Sequence, residues 1–279
     1  MIFNFGLRAG VVSAISLCLG LSFAQTAMAT SSSAFGLQAK FTTKGLTTGL
    51  GPIAAVNGSA PPGYSKSTTI TGFQQIVPLV AETGPVPSLF ASFTSIKSHA
   101  ASAGIGIDSL SAEGDVVVKG LDVSLMLNPP PPADAKTPIE PQPYLNISVK
   151  SIQSNANLNV VFPQPGYTTT SATFSGLEIN GMLLDGQTIK FTGAVPNNTV
   201  LFQSPTVTIT LNSQLVAGLI SCTPKCTFSP VSVTGSAINV ELNKATIDGK
   251  IVSGNITIGQ SQAGIGGLLS TPSDFSPAK

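Results

Sequence analysis

Ser171–Ser213, SATFSGLEINGMLLDGQTIKFTGAVPNNTVLFQSPTVTITLNS, is the stretch whose reading decides the fold. Asn180-Gly181 and Asp185-Gly186 suit two-residue hairpin loops, because both central positions of such a loop take positive φ. Pro196-Asn197-Asn198 marks a third reversal. Beyond it, Val207-Thr-Ile-Thr-Leu211 alternates apolar and polar residues as a half-buried strand does. Four strands on three tight turns are expected, and with them an antiparallel β-protein. No residue in the stretch announces a reaction.

The flanks carry the same pattern. Ile238–Leu242, Thr246-Ile247, Asp248-Gly249, Ile251-Val252 and Asn255–Ile258 read as a second hairpin series. Gly264–Lys279 reads as a tail of Gly, Ser and Pro. Toward the N-terminus, Ala34–Phe41 reads as the first strand, and Gly45–Tyr64 as loop with one short strand. Ile76–Val80 and Leu89–Ile96 are further strand candidates. Helical periodicity is nowhere sustained. The expected class is all-β: a mainly antiparallel sandwich or flattened barrel, with a β-helix-like stack as the alternative. One domain spanning residues 30–263 is the expected organisation.

A repeat at an offset of 56 runs through the middle of the chain. Ser92–Ala100 (SFTSIKSHA) matches Ser148–Ala156 (SVKSIQSNA), and Gly120-Leu-Asp-Val123 matches Gly176-Leu-Glu-Ile179. Met126-Leu127 and Met182-Leu183 keep the register. The copies, 92–127 and 148–183, read as a duplicated β-unit, although Ser-rich alternating strands also resemble one another by composition. Between them, Asn128–Pro143 carries the run Pro129–Pro132, which is stiff and unable to pair inside a sheet.

Residues 1–29 have the form of a secretory signal: Arg8, the apolar run Val11–Phe23, and Ala27-Met28-Ala29 as cleavage site. Leu17 before Cys18 is poor for lipid attachment. Export to the cell surface or medium is therefore expected. Arg8 is the chain's sole arginine; the thirteen basic residues less Arg8 leave twelve lysines against twelve carboxylates. A neutral chain argues against nucleic acid, whose binding needs clustered cations, and against anionic lipid surfaces. No segment after the leader has eighteen uninterrupted apolar residues, so no transmembrane helix is expected. A transmembrane barrel is not expected either, since the aromatic girdles are missing.

Candidate sites are few. Cys222 and Cys226, in Cys-Thr-Pro-Lys-Cys, read in an exported chain as a local disulfide. Free thiols are the next reading, and metal binding would need further Cys or His ligands. A Ser-His-Asp hydrolase needs a positioned imidazole. His99 is the chain's one histidine, and no Gly-x-Ser-x-Gly elbow accompanies it; it reads as a surface or strand-edge residue aligned with Asn155. Asp108, Glu113, Asp115, Asp122 and Glu178 are the carboxylates open to glycoside chemistry. Asp122 and Glu178 hold matched repeat positions and read as charges on the solvent side of a hairpin. Asp108, Glu113 and Asp115 are weak calcium candidates whose spacing does not fit an EF-hand loop. Asn57, Asn146, Asn197 and Asn255 sit in Asn-x-Ser/Thr sequons. No cofactor motif is present.

Ser33-Ala-Phe-Gly-Leu37 after the leader, Gly176-Leu-Glu-Ile-Asn-Gly181, Pro196-Asn-Asn-Thr-Val200, Val207–Asn212, Ile238–Leu242 and Asp248–Val252 resemble the choice-of-anchor P type of bacterial exported domain. The resemblance covers most of the mature chain. It implies a secreted or cell-surface protein and supplies no catalytic residues. Such domains often carry a C-terminal attachment signal; Thr271–Lys279 shows no sorting motif, so release or non-covalent retention is expected. The leading expectation is a non-enzymatic structural or adhesive protein that contacts itself, the envelope or a matrix. A carbohydrate-binding or glycan-active protein and a carrier of small apolar ligands are the alternatives.

Overall fold

The computed structural model describes residues 30–60, 62–80, 82, 86–105, 109–128, 143–161, 167–218, 220–222, 226–228 and 231–266. The signal segment, the Pro-rich run 129–142 and residues 267–279 of the expected tail lie outside the described residues. One sheet is a meander of β4 (Tyr64–Pro78), β5 (Val86–Ile105), β6 (Ser109–Asn128), β7 (Leu145–Val161), β8 (Tyr167–Asn180) and β9 (Ile189–Ala194). The other runs β10 (Thr199–Gln203), β11 (Val207–Ala217), β14 (Val231–Ile247), β15 (Lys250–Ile265), β1 (Thr30–Thr43), β2 (Leu46–Ile53), with β3 (Val56–Ala60) also on β1. A separate small hairpin joins β12 (Ile220–Cys222) to β13 (Cys226–Phe228).

All pairings are antiparallel, neither sheet closes on itself, and the sheets stack with β1 and β15 over β5, β6 and β7. The fold is thus a sandwich, not a flattened barrel or a β-helix.

The deciding stretch is the crossover between the two sheets. The end of β8 and β9 belong to one sheet, β10 and β11 to the other. Asn180-Gly181 does not close a hairpin, contrary to the sequence reading. Asn180 stays in β8, and Met182–Leu184 forms a 3-10 turn that buries Leu184. The expected strand between the two Gly-containing pairs is that turn. Asp185 and Gly186 do take positive φ (54° and 75°). The later Asp248-Gly249 behaves as expected, a two-residue loop with φ 48° and 68° joining Ile247 to Lys250. Gly45–Tyr64 is not loop but contains β2 and β3. Its Gly and Pro are tolerated at the edge of the sheet, and Gly49 lets the backbone of Ala39 and Lys40 come close. Gly264 and Ile265, assigned to the tail by the sequence, end β15.

Strands of 14 to 20 residues do not keep one alternation throughout. In the meander the inward residues of β5 are Leu89, Ala91 and Phe93, then Ile96, Ser98 and Ala100; on β6 the switch falls at Lys119-Gly120, on β7 at Lys150-Ser151, on β8 at Ser175-Gly176. These positions share one row across the sheet: Gly72, Thr94, Gly120, Lys150, Gly176. In the other sheet two consecutive residues face inward instead: Leu37 follows Gly36, Ile258 precedes Gly259, and Ala237 and Ile238 are both fully buried. An extra residue lengthens the face on which it lies and bends the strand. The outward slip in one sheet and the inward slip in the other therefore curve in the same sense and nest.

Two apolar clusters fill the interior. The larger includes Leu37, Phe41, Ile96, Val118, Ile152, Phe174, Ile238 and Ile256. The smaller comprises residues such as Leu110, Leu158, Val160, Val233 and Ile265. A belt of small side chains lies between them, with Ser98, Gly114, Ser154, Gly235 and Ser261 among its members. Tyr64 ties the edge strand β4 to the facing sheet: its hydroxyl accepts from the Ser32 N–H at 2.7 Å and lies 2.6 Å from Ser32 Oγ.

Candidate functional site

Side chains of one register row stand side by side on a sheet face. On the outer face of the meander, Ser67, His99, Asp115, Asn155 and Ser171 form one such row, and Ser65, Ala101, Glu113, Asn157 and Thr169 the next. The offset of 56 explains the pairing seen here. His99 and its repeat partner Asn155 lie on the two strands flanking β6, so both reach Asp115.

Asp115 Oδ1 accepts from Asn155 Nδ2 at 2.6 Å, and Asp115 Oδ2 lies 3.5 Å from His99 Nδ1. His99 Nε2 is 3.0 Å from Ser65 Oγ. Asn157 Nδ2 donates to Asn155 Oδ1 at 2.7 Å. Asn159, one residue further on the same face, donates to the Tyr167 hydroxyl at 3.2 Å. Burial raises the Glu113 carboxyl above its ordinary value of 4.5, helped by the neighbouring Asp115, while His99 opposes the shift.

Ser65, His99 and Asp115 thus stand in the order nucleophile, base and orienting acid. Acyl transfer also needs two donors aimed at the developing oxyanion. The N–H groups of a paired strand lie in the plane of the sheet, at right angles to the side chains, so the backbone of the ladder offers none above this face. His99 and Asp115 are about one-third exposed, with side-chain exposures of 29% and 32%. The row is a polar ladder on an open surface.

Beside it the face sinks into a shallow pocket of about 430 Å³. Ala101, Ala103 and Ser111 are short side chains at its floor; Glu113, Asn157, Asn159 and Tyr167 line it as well. Tyr167 is 58% exposed.

Of the calcium candidates, Glu113 and Asp115 lie two residues apart on β6 and not in a loop, and Asp108 lies outside the described residues. Among the described residues no group of three or more His, Cys, Asp or Glu is arranged to hold a metal. Asp122 and Glu178 flank Ser148 in one outer row, and Glu178 is paired with Lys190 at 3.1 Å. Cys222 and Cys226 occupy directly opposed positions of the β12–β13 hairpin; their side chains lie outside the described residues. Among the sequons, Asn57 and Asn197 are exposed. Asn197 also works in the crossover, where its Oδ1 accepts from Asn212 at 2.6 Å.

The sequence reading placed His99 beside Asn155 in the repeat but missed Ser65, Asn157, Asn159 and Tyr167. The period-two run Asn155-Ala-Asn-Leu-Asn159 is the signal that marks them, since alternate residues of a strand share a face. No helix among the described residues is long and apolar enough to cross a membrane. Compared with protein-family models, curated proteins and solved structures, the chain matches none.

Proposed function

We propose that this chain is an exported, non-enzymatic β-sandwich that acts at the cell surface or in a matrix by pairing strand edges with further copies of itself. The observation that carries the reading is β4. It is a 15-residue strand at the end of the meander, and among the described residues its outer edge pairs with nothing. Other edge strands are short: β9 has 6 residues and β10 has 5. A free edge presents unpaired N–H and C=O groups to any strand that fits. Lys66 is the one charged residue on β4, so two copies laid side by side meet little repulsion. The leader, the neutral mature chain and the resemblance to choice-of-anchor P domains support an address outside the cytoplasm.

Size-exclusion chromatography with light scattering on the secreted form tests this. Dimers or longer assemblies are expected at about 100 µM, in the range of a micromolar contact. Ile76 is 45% exposed on β4, and Ile76→Lys should weaken assembly by about tenfold, because a charge on an edge opposes pairing. A strict monomer at that concentration, or an assembly indifferent to Ile76→Lys, overturns the reading.

A further inference from the structure

We infer that the pocket at the end of the polar ladder is a binding site for a neutral, hydroxyl-rich glycan. It lies on the outer face of the meander and meets β4 at Tyr64, the first residue of that strand, at the end opposite Ile76.

The chemistry of the lining selects the ligand. Asn157, Asn159 and Glu113 offer planar groups that donate to and accept from vicinal hydroxyls. Asn155 and Tyr167 already hold two of these amides in place, through the bonds at 2.7 Å and 3.2 Å. Such a site is pre-organised, and a ligand loses less freedom in filling it. The exposed ring of Tyr167 supplies an apolar face at the rim against which the C–H side of a sugar packs.

The same lining argues against other classes. Among the described residues no lysine lines the pocket, so a phosphate or an acidic sugar finds no countercharge there, and Glu113 and Asp115 repel it. An apolar ligand would leave Glu113 and the amides unpaired, which is costly. Ala101, Ala103 and Ser111 keep the floor low enough to admit a ring between taller neighbours.

Saturation-transfer NMR and titration calorimetry of the secreted protein with cellohexaose, xylohexaose and maltohexaose test the site, with oligogalacturonate as the anionic control. Saturable binding of at least one neutral hexasaccharide below about 10 mM is expected. Asn157→Ala and Tyr167→Ala are surface changes whose folding is checked by circular dichroism. Each should weaken binding by about tenfold or more. Ile76→Lys, which acts on β4, should leave glycan binding unchanged. The inference is overturned if none of the three neutral hexasaccharides binds, if Asn157→Ala and Tyr167→Ala leave binding intact, or if oligogalacturonate binds as well as they do.

Discussion

The two sheets bend along one transverse line by different means. In the meander the slipped residues face solvent, and glycine occupies alternate strands of the row: Gly72, Gly120 and Gly176, with φ of 64°, 57° and 59°. Between them stand Thr94 and Lys150, which need no special backbone. In the facing sheet the slip points at the partner, and Gly36 and Gly259 lie where a side chain would press into Ile96 or against Ala237 and Ser154. Where the crease meets water all three glycines carry a conformational demand, and Gly120 adds a steric one from Thr94. Where it meets the other sheet the demand at Gly36 is steric, because interiors are packed without room for an added methyl, while Gly259 also holds a left-handed φ of 64°.

Gly114 isolates the steric demand and carries the largest expected effect. Its φ is not positive, so alanine suits its backbone. Yet an added Cβ would lie 2.6 Å from the Ser33 carbonyl oxygen and 3.0 Å from Gln262 N and O. Those are backbone atoms of β1 and β15, so only a movement of whole strands makes space. Gly114→Ala should cost about 3 kcal/mol in chemical denaturation, at the upper end of overpacking. A loss below about 0.5 kcal/mol, the range of a surface change, would mean that the sheets are not so close in solution.

Gly72 isolates the conformational demand. It shares the crease with Gly120 and Gly176, but nothing lies within 4 Å of an added Cβ. Gly72→Ala should therefore cost only the left-handed backbone, about 1–2 kcal/mol, and Gly72→Asn should recover part of that. Asparagine as costly as alanine would show that φ is not the reason glycine stands there.

The comparison also explains what the sequence could convey. Period-two patterning announced strands and all-β class, and Asp248-Gly249 announced its turn, because these depend on residues a few positions apart. The crease hid the true strand lengths: Leu89–Ile96 reads as a strand that stops at the slip, whereas β5 runs on to Ile105. Asn180-Gly181 misled because burial of Leu184 in the larger cluster holds the segment in a 3-10 turn, a tertiary effect that outweighs turn propensity. Lys44-Gly45, with φ of 50° and 80°, closes the β1–β2 hairpin although Lys-Gly is not a common turn pair. The polar ladder needs strands 34 and 40 residues apart in sequence to meet, as in Ser65 with His99 and Asn155 with Asp115. Only the repeat hinted at that register, through the alignment of His99 with Asn155.

The belt between the two apolar clusters gives the smallest expected effect and the finest test of what the crease protects. Ser98 and Ser261 are fully buried, and among the described residues their hydroxyls find no hydrogen-bond partner. On the adjoining strands Ser98 stands between Thr68 and Val116, and Ser261 between Ala34 and Gly235, small or apolar neighbours that leave little for a hydroxyl to bond. An unpaired buried hydroxyl costs free energy, and removing it returns that cost. Ser98→Ala should therefore raise stability by about 1 kcal/mol, in the opposite direction to the glycine variants. A loss of similar size would mean that an ordered water bonds the Ser98 hydroxyl, since such waters bind otherwise unsatisfied groups and are costly to remove. The double variant Ser98→Ala, Ser261→Ala sharpens the measurement: two independently unpaired hydroxyls give additive gains.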